Sequence, residues 1–160
     1  MLKQDDPHRC TAARLAKFKL ARALYRIRQI PRISLVLNPT ASHFLLPSDR
    51  NSNTMTRLVA VDCSWEKAQI QFAEPLPGLQ RRLPTLLAAN PTNYAKRHKL
   101  SSAEALAAAS YILGFKEYAN RILSLFKWGH TFLSLNNELL EAYSRARSNE
   151  NLLMIESQYF

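Results

Sequence analysis

The residues best placed to do chemistry in this chain are Asp62, Cys63, Ser64 and Trp65, which directly follow the apolar run Leu58, Val59, Ala60 and Val61. An acid, a thiol, a hydroxyl and an indole thus stand together where a buried strand should end. The run is unbroken and contains two β-branched residues, which suits a strand covered on both faces of a parallel sheet. Ser64 is a good N-cap, with Trp65, Glu66, Lys67 and Ala68 as a first helical turn, so the segment reads as strand, tight turn and helix start. In open α/β sheets, ligands sit at such carboxyl ends of strands. A candidate active site therefore falls here, centred on Asp62 and Trp65. The alternative is a plain turn in which Asp62 caps backbone amides and Trp65 fills core.

Other chemistries are narrowed by what the chain lacks. Cys10 and Cys63 belong to no CxxC pattern, and His8, His43, His98 and His130 are scattered, so no ligand pair has the spacing of a zinc site. With no histidine near Cys63 in sequence, a nucleophilic cysteine is a weak option. The only glycines are Gly78, Gly114 and Gly129. They are too few and too dispersed for a P-loop or a GxGxxG turn, so any nucleotide cofactor must be held another way.

The elements that must position this stretch can be read in order. Thr11 is placed to cap a helix from about Ala12 to Arg28, on which Ala16, Leu20, Ala23, Leu24 and Ile27 form one apolar stripe. Pro31 breaks that helix. Ile33 to Leu37 is a second buried strand, Ala41 to Leu46 reads as a short helix, and Pro47 to Thr56 as a polar loop. Trp65 to Phe72 is helical by pattern, and Pro75, Pro77 and Gly78 force a turn before a third short strand, Gln80 to Leu83. Alternating strands and helices to this point argue for a parallel sheet. Beyond Pro84 the texture changes. Ser101-Ser102-Ala103-Glu104 is a capping box opening a helix that ends at Gly114, a good C′ residue, and residues 116–127 and 137–147 continue helically. Residues 148–160 form a tail, with a last short helix on Leu152, Leu153 and Ile155. Two parts follow: residues 1–84, α/β, and residues 85–160, all-α.

The chain has 160 residues, 47% hydrophobic and 21% charged, which are globular values, and no apolar run reaches a membrane span. Its start, MLKQDDPHRC, does not resemble a signal peptide, so a cytoplasmic location is expected. The net charge is +10, and residues 1–32 hold nine basic side chains against Asp5 and Asp6, seven of those ten charges. A polyanion, most often nucleic acid, is the natural partner.

Separated motifs then resemble one family. VDCSW at Val61 to Trp65, RRLPTLLAANPTNY at Arg81 to Tyr94, KLSSAEALAAASYILGF at Lys99 to Phe115 and FKWGHTFLSLNNELLEAY at Phe126 to Tyr143 are similar to the archaeal and eukaryotic ribosome-biogenesis aminocarboxypropyltransferases of small-subunit ribosomal RNA. DPHRCT at Asp6 to Thr11 and IPRISLVLNP at Ile30 to Pro39 extend the match. The resemblance implies S-adenosylmethionine as group donor and transfer of its 3-amino-3-carboxypropyl group to a ring nitrogen of a pseudouridine, methylated in some lineages, with release of methylthioadenosine. It implies an α/β fold, a parallel sheet with a SPOUT-like deep trefoil knot, followed by an all-α C-terminal domain that completes the knot and cofactor pocket. The partner would be small-subunit ribosomal RNA or a pre-ribosomal particle, bound by a monomer with no metal and no membrane.

Carried over residue by residue, the resemblance implies that Leu37, Pro39 and Trp65 wall the adenine and that the backbone of Val61 holds the ribose. Thr11 would meet the amino acid part, Ala68 would pack near the sulfonium methyl, and backbone around Thr85, Leu100 and Ser101 would complete the pocket. Asp62 would orient the target base or accept its imide proton, while Arg9, Arg14 and Arg82 would grip RNA phosphates. An indole face suits both adenine and a sulfonium cation. Three departures stand out: Asn38 where relatives often have Asp, and Ala12 and Ala95 where they often have Gly. Ala95 matters most, because a turn with positive φ after Asn93-Tyr94 is harder without glycine. A leading strand present in many relatives is expected to be short or missing. Within the same fold, methyl transfer to RNA and non-catalytic RNA binding during ribosome assembly are the alternatives.

Overall fold

The computed structural model describes residues 10–51, 57–61 and 75–160. Three short parallel strands, β1 (Leu35–Leu37), β2 (Leu58–Ala60) and β3 (Leu79–Arg81), form a sheet in the order β2-β1-β3. Leu35, Val36 and Leu37 pair with Leu58, Val59 and Ala60 on one side and with Leu79, Gln80 and Arg81 on the other. The all-apolar run is explained by this central position, because β1 is buried on both faces. Leu35 and Leu37 join the main core, whereas Val36 points the other way into a smaller cluster with Ile30 and Leu76. Gly78 opens β3 at φ +94°, and a Cβ there would lie 2.6 Å from the Ser34 carbonyl oxygen, which accepts the Leu79 N–H.

Among the described residues, five α-helices accompany the sheet: α1 (Thr11–Lys17), α2 (Ser102–Ile112), α3 (Lys116–Leu123), α4 (Gly129–Tyr143) and α5 (Asn149–Tyr159). α2 is the hub of the main core and touches α1, α3, α4 and β2. Its alanines Ala103, Ala107, Ala108 and Ala109 are all buried, which lets neighbouring backbones approach closely. The expected capping box is present: Ser101 Oγ accepts the Glu104 N–H, and Glu104 accepts the Ser101 N–H in return. Gly114 follows at φ +88°.

Several sequence-based expectations are corrected. The helix expected to run to Arg28 stops at Lys17, because Lys19 adopts φ +58° and the Leu15 carbonyl accepts the Leu20 N–H, closing a Schellman-type end. Cys10, not Thr11, caps α1, with its Sγ accepting from Ala13 N. No helix spans Ala41 to Leu46. Phe44 instead bridges Arg82 beside β3, and a 3-10 turn follows at Pro47–Asn51. Residues 85–100 are extended and looped, with an antiparallel bridge between Leu87 and Arg97, so the helical part begins at Ser102.

The SPOUT-like deep trefoil knot is corrected too. The described residues form a small α/β fold of three parallel strands and five helices, in which no knot is shown. The helix expected at Trp65 to Phe72 lies outside the described residues.

Candidate functional site

The carboxyl ends of β1, β2 and β3 lead to Asn38, Val61 and Arg82. Asn38 is buried and extends the ladder by donating its N–H to the Arg81 carbonyl at 2.8 Å. Its Oδ1 accepts from the Thr40 N–H and hydroxyl, at 2.9 and 2.8 Å, and its Nδ2 donates to Gln80 Oε1 at 2.5 Å. Since Gln80 Nε2 is committed to the Leu76 carbonyl, an amide donor at position 38 fits, and an aspartate would have nothing to give Gln80. The exposed Pro39 is thereby held beside the end of Leu37. Arg81 forms a bidentate pair with the buried Asp49, at 3.1 Å from Nε to Oδ2. Arg82 instead lays its guanidinium over the Phe44 ring, 4.1 Å from the centroid, and its buried Nε has no partner among the described residues.

A second wall is built from residues 85–101. Along Thr85 to Asn90, polar side chains from three helices reach the backbone. Glu156 of α5 accepts the Thr85 N–H, Asn136 of α4 accepts the Leu87 N–H, and Glu104 of α2 accepts those of Ala89 and Asn90. Asn136 Nδ2 also donates to the Leu87 carbonyl, and the Tyr143 hydroxyl donates to the Thr85 carbonyl. Glu104, fully buried, takes two more bonds, from Asn90 Nδ2 and Ser101 N. The Ala88 N–H goes to the Lys96 carbonyl. That leaves the Leu86 N–H as the one amide in this run with no partner among the described residues, although Leu86 itself is 1% exposed. Neither the N–H nor the carbonyl of Leu100 has a partner among them either. An unmet buried donor is destabilising, so the Leu86 amide is a natural ligand contact.

Thr11 closes this wall from the N-terminal side. Its Oγ1 accepts the Ala103 N–H at 3.2 Å, which satisfies one of the free amides at the start of α2 and leaves the hydroxyl proton to donate. The structure therefore brings Thr11 to the start of α2 that Ser101 caps, directly after Leu100, while the Thr85 hydroxyl meets His98 Nε2 at 3.3 Å. Arg14 stands one turn along α1 from Thr11, exposed, its guanidinium between the rings of Phe18 and Phe126. Leu37 and Leu86 share the main core, which links the two walls. Arg9, Asp62, Cys63, Trp65 and Ala68 lie outside the described residues. Among the described residues, no three His, Cys, Asp or Glu side chains gather into a metal-binding group.

The comparisons with known proteins agree with this frame. The family model for the C-terminal part of ribosome biogenesis proteins matches residues 35–160. The 16S rRNA aminocarboxypropyltransferase of Methanosarcina mazei is 44% identical over 158 residues, covering 98% of this chain and 90% of its own. The chain belongs to this ribosome-biogenesis family of rRNA aminocarboxypropyltransferases. Another member, from Methanococcoides burtonii, is 45% identical over 159 residues, covering 98% of this chain and 90% of its own. The solved structure of the SAM-dependent rRNA:acp-transferase Tsr3 from Vulcanisaeta distributa superposes with a TM-score of 0.84 at 37% identity, covering 98% of this chain and 93% of that one.

Against that family, sequence reasoning missed the polar side chains that hold residues 85–90. Asn136 had a signal, since it falls on the same helical stripe as Phe132, Leu140 and Tyr143, where a polar residue must find a buried partner. Glu156 had none, because its target lies 71 residues away.

Proposed function

We propose that the chain binds S-adenosylmethionine along the carboxyl edge of its parallel sheet and transfers the 3-amino-3-carboxypropyl group to a ring nitrogen of a pseudouridine, methylated or not, in small-subunit ribosomal RNA. The observation that carries the proposal is identity above 40% over nearly the whole chain to proteins named 16S rRNA aminocarboxypropyltransferase. When bound, the cofactor supplies an electrophilic methylene on a sulfonium, with methylthioadenosine as the leaving group.

The chain's own residues then have separable tasks. The Leu86 N–H and the Leu100 carbonyl offer one donor and one acceptor, the complement of adenine's ring nitrogen and exocyclic amine. Leu37, Pro39 and Trp65 supply the apolar walls, and the backbone of Val61 the ribose contact. Thr11, with a hydroxyl proton still to give, suits the carboxylate of the amino acid part, and Ala68 suits the methyl. Reaction specificity is then positional: the longest arm of the sulfonium must face the nucleobase while the methyl is covered. Asp62 orients the base or accepts its imide proton. Arg9, Arg14 and Arg82 grip phosphates, a role for which the guanidinium's paired donors suit them.

The test is to incubate the protein with labelled cofactor and pre-ribosomal RNA and identify the small product. Methylthioadenosine is expected; S-adenosylhomocysteine would mean methylation, and no turnover with RNA binding intact would mean an assembly factor. Trp65→Ala should abolish cofactor binding, and an unchanged affinity by calorimetry would reject the pocket.

A further inference from the structure

The Leu86 amide, without a partner among the described residues, owes its orientation to two side chains remote from it in sequence. In a trans peptide the C=O and the following N–H point in opposite directions, so whatever holds the Thr85 carbonyl also aims the Leu86 N–H. Here the Thr85 carbonyl accepts the hydroxyl of Tyr143, a fully buried residue of α4, at 2.9 Å. The preceding peptide is held by Glu156 of α5, whose Oε1 accepts the Thr85 N–H at 2.5 Å. Extended backbone alternates, so with the amides of Thr85, Leu87 and Ala89 turned to the helices, those of Leu86 and Ala88 face the other way. Ala88 is spent on Lys96, and Leu86 has no partner among the described residues.

We infer that Tyr143 and Glu156 are positioning residues for cofactor binding: together they fix the Thr85 peptide units so that the Leu86 N–H is presented to the adenine. This rests on the cofactor reading above and assigns a role in it to the two C-terminal helices. Neither side chain takes part in group transfer, so their loss should appear in binding and not in the chemical step.

Tyr143→Phe keeps the buried ring and removes only the hydroxyl that holds the Thr85 carbonyl. Calorimetric titration of the variant should show affinity for S-adenosylmethionine and for methylthioadenosine lowered by roughly tenfold or more, the loss of one oriented hydrogen bond. In turnover, KM for the cofactor should rise while kcat changes little. Glu156→Ala should weaken both ligands in the same way, and Glu156→Gln, which can still accept the amide, should restore most of the affinity. Ile155→Ala is the control: it thins the packing of the same helix and lowers the melting temperature without touching the Thr85 peptide, so it should bind normally below its transition. If Tyr143→Phe fails to fold, the Glu156 pair decides. Wild-type affinity in folded Tyr143→Phe and Glu156→Ala, or equal loss in Ile155→Ala, would overturn the inference while leaving the cofactor reading intact. Failure of the wild-type protein to bind either ligand would instead overturn that reading, and this inference with it.

Discussion

The hydroxyl of Thr11 accepts a hydrogen bond from the backbone N–H of Ala103, 92 residues further along, and so ties the first turn of α1 to the first turn of α2. That amide is one of the four that a helix start leaves unmet, and Ser101 already serves another. Thr11→Val keeps the shape and loses the acceptor, so it should destabilise the fold by about 1 to 3 kcal/mol, while Thr11→Ser should sit near wild type. Ligand choice separates this structural effect from the proposed contact with the amino acid part. Thr11→Val should weaken S-adenosylmethionine and leave methylthioadenosine, which lacks that part, unchanged in calorimetric titrations. Equal weakening of both would show that Thr11 acts only through the fold.

Glu104 makes a second long-range tie. Fully buried, it accepts from Ala89 N, Asn90 N, Asn90 Nδ2 and Ser101 N at 2.7 to 2.9 Å, so four donors depend on two oxygens. Glu104→Gln sets an amide donor against donors and should lower stability by about 2 to 3 kcal/mol; Glu104→Leu, which strands all four, should cost more. Urea unfolding gives the measurement. A midpoint within error of wild type for Glu104→Leu would mean that water meets these amides instead.

How much of this was legible in the sequence depends on the range of the interaction. The central strand was readable because a strand buried on both faces must be apolar throughout, as Leu35 to Leu37 is, and the start of α2 because a capping box is closed within four residues; Leu58 to Ala60, expected to be covered on both faces too, is only half-buried at one end of the strand order. The end of α1 was not. The apolar stripe continues through Leu20 and Leu24, yet Lys19 turns left-handed, and nothing local in a lysine announces that. The site divides in the same way. That Thr11 meets the start of α2 beside Ser101 was not readable from spacing, since 92 residues separate Thr11 from Ala103. The ties from Asn136, Tyr143 and Glu156 to residues 85–87 are set by tertiary packing between segments remote in sequence.

Ala95 offers a stabilising change. It sits at φ +60° where glycine is the unstrained residue, and its N–H donates to the Ala88 carbonyl at 2.7 Å, so the conformation is fixed by the hairpin that holds Leu87 against Arg97. A left-handed alanine is strained by about 1 to 2 kcal/mol, and glycine gives back part of that through its greater freedom when unfolded. Ala95→Gly should therefore raise stability by roughly 0.5 to 1 kcal/mol, visible as a melting temperature a few degrees higher. A lower melting temperature would mean that the turn carries no strain to relieve.

Tyr143 gives the fold a pH dependence with a definite sign. Burial, then the nearby charge of Glu156, then Tyr159, push its phenol well above the ordinary value of 10.0, which keeps the hydroxyl protonated as the donor to the Thr85 carbonyl. A group whose pKa is raised on folding contributes stability that is fully present below its unfolded pKa and is lost as pH rises toward the folded value. The wild-type protein should accordingly hold its stability up to about pH 10, the ordinary tyrosine range, and lose it progressively above. Tyr111, raised by burial and then by Glu141, and Lys116, raised by its hydrogen bond to Glu141, add to the same slope. Tyr143→Phe should be less stable at neutral pH, through the unmet Thr85 carbonyl, yet show a shallower decline on the alkaline side. Denaturation at a series of pH values from 7 to 11 compares the two slopes directly. Parallel curves would show that the phenol titrates in the folded protein as it does in the unfolded chain.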